Sequence, residues 1–135
     1  MLRNLPTPAK GVRILGVCLN RRDQALLLEF FKGTNFNFYF ADDVEAACKM
    51  LQTARRTPVV LTEAKDGRSN IIWKDVLKAS QSTLVIVVTR RPDEIFWVEA
   101  MDLGAHDVIH SRPFHPREVC RSVVLAWKHW QDSQP

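Results

Sequence analysis

Short apolar runs alternate along this chain with stretches whose apolar residues recur every three or four positions, a pattern of strand and helix units repeated around a parallel sheet. Five such units fill the sequence. The first strand is predicted over 12–19 and its helix over 24–32, with Leu27, Leu28 and Phe31 as the buried stripe and Gly33 as the stop. A short second strand covers 37–40. Asp42 with Glu45 reads as the capping box of a helix ending near Arg55, with Val44, Ala47, Cys48 and Leu51 as its apolar stripe. The third strand, Pro58 to Thr62, ends on the lone carboxylate Glu63. A loop over 64–70 leads to a helix over 71–79 and a fourth strand over 84–89. Pro92, Asp93 and Glu94 suit the first turn of a helix running to Leu103, closed by Gly104. A fifth strand over 106–110 precedes a last helix from Pro116 to Trp130, with Val119, Val123 and Trp127 on one stripe.

At 135 residues, 46% hydrophobic and 25% charged, the chain has material for one globular core. The expected division is a leader over 1–11, one domain over 12–130 and a tail over 131–135, with no output domain. The apolar runs are too short to span a bilayer and the leader has no apolar signal core, so a cytoplasmic protein with no membrane partner is expected. The net charge is +4 and no Lys/Arg run exceeds two residues, which argues against a nucleic-acid partner. Cys18, Cys48 and Cys120 are odd in number and widely spaced, and read as buried free thiols. His106, His110, His115 and His129 lack acidic or cysteine partners at ligand spacing. Neither a Walker motif nor Gly-x-Gly-x-x-Gly is present, and the stretch after the first strand lacks the glycine and hydroxyl residues of a flavin phosphate loop.

In an open parallel sheet the carboxyl ends of the strands surround one crevice, where ligands bind. Glu63 stands at one such end. Arg21 and Arg22 follow the first strand, Arg90 and Arg91 the fourth, and Arg112 the fifth. A guanidinium is a permanent cation with a fork suited to carboxylate or phosphate oxygens. One or two of these arginines would hold Glu63 ionised; alternatively they are solvated loop residues, or pair with Asp23, Asp93 and Glu94 nearby. A crevice so lined would accept a phosphate-bearing ligand or an acidic partner. A further reading makes Cys18 a redox thiol whose pKa the arginines lower.

Thr89 at the end of the fourth strand, the helix end Ala100-Met101-Asp102-Leu103-Gly104-Ala105, and Ser111-Arg112-Pro113-Phe114 carry a resemblance. Over 12–130 the chain resembles the receiver domain of two-component response regulators, the CheY-like superfamily. The resemblance implies an α/β, flavodoxin-like (βα)5 three-layer sandwich with a parallel five-stranded sheet in the order 2-1-3-4-5. It also implies two acids at the end of the first strand that hold Mg²⁺, and a phosphoacceptor aspartate at the end of the third.

Cys18 and Leu19, followed by Asn20, stand at the positions of the acidic pair, and Glu63 stands at the acceptor. Neither Cys18 nor Leu19 offers an oxygen to a hard cation, so no Mg²⁺ and no other cofactor is expected. The extra methylene of Glu63 displaces its carboxylate from the position that in-line transfer needs. The expectation is therefore a degenerate pseudo-receiver, not an enzyme, in which Glu63 is a fixed charge that partly imitates phosphorylation. Thr89, Val108, Arg112 and Pro113 match the family's switch and phosphate-contact positions, with Val108 where an aromatic residue is usual. The Arg112-Pro113 bond matches a Lys-Pro bond that is usually cis in the family. Signalling would proceed by protein contact, including a homodimer through the fourth and fifth helices, for which Trp97, Trp127 and Trp130 are the interface candidates. The alternatives are an active receiver that uses Glu63 as its acceptor, or an anion-binding module built on the arginine-rich crevice.

Overall fold

The computed structural model describes residues 4–53, 56–91, 93–111 and 113–134. Five strand and helix units follow in order: β1 (Val12–Val17), α1 (Arg21–Phe30), β2 (Phe36–Ala41), α2 (Val44–Leu51), β3 (Val59–Glu63), α3 (Trp73–Ala79), β4 (Leu84–Thr89), α4 (Glu94–Asp102), β5 (Asp107–His110) and α5 (Pro116–Asp132). The strands form one parallel sheet in the order β2-β1-β3-β4-β5, the flavodoxin-like arrangement expected from the sequence.

Alternation along the strands divides the core in two. Ile14, Val59, Leu61, Ile86, Val88 and Ile109 pack against Leu27 and Phe31 of α1 and against Val119, Val123 and Trp127 of α5. Leu15, Val17, Val60, Val85 and Val87 turn the other way, against Ala47 of α2, Trp73 and Val76 of α3, and Ala100 of α4. Covered on both faces, β3 is buried at every residue.

Several boundaries differ from those expected. Strand β1 stops at Val17 because Cys18 adopts a left-handed backbone, φ 58°, which turns the chain into a helix that begins at Arg21 rather than near Gln24. Asn20 caps that helix by accepting a hydrogen bond from the Asp23 amide at 2.8 Å. Leu28 is exposed, so it is not part of the inward face, which Leu27 and the C-cap residue Phe31 fill as expected. Helix α2 is capped by Asp43 and not Asp42: the Asp43 Oδ1 accepts from the Ala46 amide at 2.7 Å. Helix α3 starts at Trp73, since Ile71 is held in an antiparallel bridge to Lys65. Asp93 caps α4 by accepting from the Phe96 amide. Pro92 and Arg55 lie outside the described residues. Cys18 and Cys48 are half-buried and only Cys120 is fully buried.

The tryptophans separate. Trp127, taken from the sequence as an interface candidate, is 7% exposed and meets Phe36 edge to face at 5.6 Å. Its period of four with Val119 and Val123 makes it part of the core stripe. Trp130 is half-buried, and its indole N–H donates to the Ser82 carbonyl at 2.9 Å, tying the end of α5 to the start of β4. On α4, Phe96 turns inward to Trp73 at 5.5 Å, whereas its neighbour Trp97 stays 47% exposed. Among the described residues no helix is long and apolar enough to cross a membrane.

Removing a large aromatic side chain from a packed core leaves a cavity as well as losing buried surface. Trp127→Ala is therefore expected to lower the free energy of unfolding by about 3–5 kcal/mol. Trp97→Ala should cost no more than about 1 kcal/mol. Urea denaturation of both variants checks the contrast.

Candidate functional site

The sheet register gathers the chemistry at one edge. Val17 lies beside Thr62, Glu63 beside Val88, and Thr89 beside His110. Above these ends is a cavity of about 280 Å³ lined by Asn20, Arg22, Asp23, Arg90, Ser111 and Pro113.

Glu63 shares the sheet face of Val59 and Leu61, the face covered by α1 and α5. It is 7% exposed, and its Oε2 is buried with no hydrogen-bond partner among the described residues. Burial pushes its pKa up from 4.5 to about 7. Arg90 opposes that rise, the Asp23 carboxylate adds to it, and the Ala64 amide opposes it more weakly. The fixed charge expected from the sequence is thus a group that titrates near neutrality. No described arginine is in salt-bridge contact with it: the ion pairs found among the described residues are Lys49 with Glu45 and Lys74 with Glu99, both on the surface.

Asp23 is the functional residue that the sequence did not disclose. The sequence offered it as a possible partner of the arginines, yet it is 3% exposed and its Oδ2 accepts a hydrogen bond from the Ser111 hydroxyl at 2.7 Å. The signal lies in α1 itself. Counted from a helix that starts at Arg21, Asp23, Leu27 and Phe31 recur every four residues on one inward face, and all are buried. The bond joins α1 to the end of β5 across 88 positions of sequence.

The basic residues stay at the rim. Arg21, Arg22, Arg90 and Arg91 are all exposed. Of these four, Arg22 and Arg90 line the cavity. Arg112 lies outside the described residues, so its assigned phosphate contact and the Arg112-Pro113 bond do too. The buried residue at the end of β5 is Ser111, whose amide donates to the Thr89 carbonyl at 3.1 Å. Thr89 is buried and its hydroxyl accepts from the Arg91 amide at 3.2 Å. Val108 is half-buried. His110 Nε2 lies 3.1 Å from the Arg90 carbonyl, and the His110 amide donates to Glu118 at 3.1 Å, which holds the rim to β5 and α5. His106 instead packs on His129, ring centroids 5.6 Å apart.

Three positions matched to the metal-binding acids have other tasks. The Leu19 side chain is buried in the core. Asn20 spends its Oδ1 on the α1 cap. The Cys18 thiol points to the Asp42 carbonyl at 3.3 Å, and burial raises its pKa to about 11, assisted by Asp66, Asp43, Asp42 and Glu63. That overturns a redox role resting on a lowered thiol pKa. Among the described residues no group of three or more His, Cys, Asp or Glu is placed to hold a metal ion.

The sheet order and the crevice at its carboxyl edge are those of the flavodoxin-like fold, and known proteins are similar to this chain in sequence and in fold. The chain is 32% identical over 127 residues to the transcriptional regulatory protein CpxR of Escherichia coli, covering 90% of this chain and 53% of CpxR. It is 31% identical over 125 residues to the CpxR of Klebsiella pneumoniae, with the same coverage. The chain thus spans about half the length of these curated relatives. In fold it is similar to the signal receiver domain of an HD domain-containing protein from Pseudomonas fluorescens, with a TM-score of 0.73, 20% identity, and 92% of this chain and 100% of that one covered. It is likewise similar to a CheY-like receiver domain protein from Methanospirillum hungatei, with a TM-score of 0.71, 19% identity, and 93% and 100% covered. No family model matches the chain.

The raised pKa of Glu63 is also a statement about stability. Between pH 4.5 and about 7 the native state holds a proton that the unfolded chain has released. This contribution is full below pH 4.5 and is lost as the pH rises through about 7. Glu63→Gln removes the cost of the buried charge. In urea denaturation at alkaline pH the variant should exceed the parent by up to about 3 kcal/mol, and the gap should close as the pH falls toward the ordinary carboxylate range.

Proposed function

We propose that the chain is a receiver-type signalling domain of a two-component or phosphorelay system that acts by protein contact, without phosphoryl transfer of its own. One observation carries the reading: the acceptor position holds a buried glutamate whose Oε2 has no hydrogen-bond partner among the described residues, and among those residues no acids are grouped to hold a metal. Phosphoryl transfer depends on positioning and on charge neutralisation by Mg²⁺ and cationic side chains. Mg²⁺ demands near-octahedral oxygen coordination. Here Cys18 and Leu19 supply no oxygen, the Asn20 Oδ1 serves the helix cap, and one Asp23 oxygen serves Ser111.

The anion-binding alternative has less support. A phosphate drawn in by Arg22 and Arg90 would meet the carboxylate of Asp23 at the cavity wall. The active receiver with Glu63 as acceptor remains the second reading, because Thr89 stands at its family position, buried at the end of β4. We place the protein in the cytoplasm, as a binding module rather than an enzyme. Its contact surface is the outer face of α4, where Ile95 at 84% exposure, Val98 and Trp97 stand in solvent. A second copy docking there through α4 and α5 accounts for these side chains, whereas Trp127 has no part in it.

Acetyl phosphate with Mg²⁺ is expected to leave the intact mass unchanged, and beryllofluoride with Mg²⁺ to leave the amide spectrum unchanged. A phosphoryl adduct on Glu63 would establish the active-receiver reading instead. For the contact surface, sedimentation velocity is expected to show concentration-dependent association of the parent that Trp97→Glu abolishes. A parent that stays monomeric throughout would remove the homodimer.

A further inference from the structure

Glu63 and Asp23 are two buried carboxyl groups at one end of the sheet, and their circumstances differ. Asp23 has a partner: its Oδ2 takes the Ser111 hydroxyl, so α1 is latched to the chain leaving β5. Glu63 has a buried Oε2 with no partner among the described residues. Ser111 in turn bridges to Phe114, whose side chain is buried in the core at the entrance to α5. A change at the latch therefore reaches the start of α5 by way of the Ser111 to Phe114 bridge.

We propose that the crevice is a proton-operated switch, in which a proton on Glu63 keeps the Asp23 to Ser111 latch closed and loss of that proton strains it open. The proposal rests on the reading that the crevice holds no metal ion. With Glu63 protonated, the floor carries one buried charge, which the Ser111 hydroxyl solvates. When the proton passes to solvent, two like charges share an enclosed site, where they repel more strongly than in water. Glu63 is fixed by β3, buried along its length, so the displacement falls on Asp23 in the first turn of α1.

Every charged group facing Glu63 enters the balance. Helix α1 brings Asp23, with Arg22 at the cavity wall; the turn after β4 brings Arg90; and the turn after β1 brings Cys18, with Asp66 acting on that thiol from the loop after β3. Arg112 follows Ser111 outside the described residues. Arg90 is exposed and favours the ionised form, while Asp23 opposes it. Their balance and the burial of Glu63 set the midpoint near neutrality, where a modest change of pH moves the population.

The test is an amide ¹H–¹⁵N NMR titration of the full chain from about pH 5 to about pH 9, following Ala64, Asp23 and Ser111. A shared midpoint near pH 7 is expected at all three amides. It should vanish in Glu63→Gln and move to lower pH in Asp23→Asn, where the opposing charge is gone. Ser111→Ala should retain the titration at Ala64 while its effect at Phe114 is lost. No transition in the parent, or a transition that persists in Glu63→Gln, overturns the switch, and the parent titration alone decides the matter should a variant fail to fold. Repeating the titration with millimolar Mg²⁺ separates the two claims. A midpoint lowered by Mg²⁺ contradicts the metal-free reading of the site and leaves the proton response standing, whereas no transition with Mg²⁺ inert removes the switch alone.

Discussion

Strand β3 lies at the centre of the sheet with helices on both faces, and every one of its residues is buried. That constraint sets the chemistry of the crevice. The sheet cannot expose Glu63 without giving up its pairing with Val88, so a carboxyl group is carried out of water together with Val59 to Thr62. Desolvation penalises its charged form. The neighbouring Asp23 raises the penalty, and the exposed Arg90 returns only part of it. The result is one acid satisfied by Ser111 and one left to titrate.

The arginines show why composition near a strand end is a poor guide to the charge of a site. Five guanidinium groups follow the strand ends in the sequence, but the four described ones stand in solvent. An exposed cation is hydrated and screened, and contributes little to a buried group unless it pairs with it directly. Asp23 reverses the expectation. A single acid on the inward face of α1 offsets part of what Arg90 contributes from the rim, and burial outweighs both.

Much of the fold was legible in the pattern of apolar positions. The alternation of strands and helical stripes located all five units, and the resemblance to receiver domains supplied the strand order. The start of α1 was hidden for an electrostatic reason. Arg21 and Arg22 occupy its first turn, where the helix dipole disfavours cations, so the helix was expected to begin beyond them. Once Asn20 is recognised as the cap, Asp23 falls into line with Leu27 and Phe31. The capping box failed by one residue, since Asp42 and Asp43 are equivalent by type and only backbone geometry selects between them. Trp127 was legible on the stripe with Val119 and Val123, and that period, rather than its residue type as an interface candidate, decides its place in the core. The Asp23 to Ser111 contact had no local signature, as it spans 88 positions.

Direct observation of the Glu63 carboxyl carbon by ¹³C NMR across the neutral range tests the central claim most simply. Burial beside Asp23 should place its ionisation near pH 7. Ionisation at the ordinary carboxylate value of about 4.3 would contradict the account. It would mean that the end of β3 is solvated or firmly paired, and that Glu63 is a permanent charge after all.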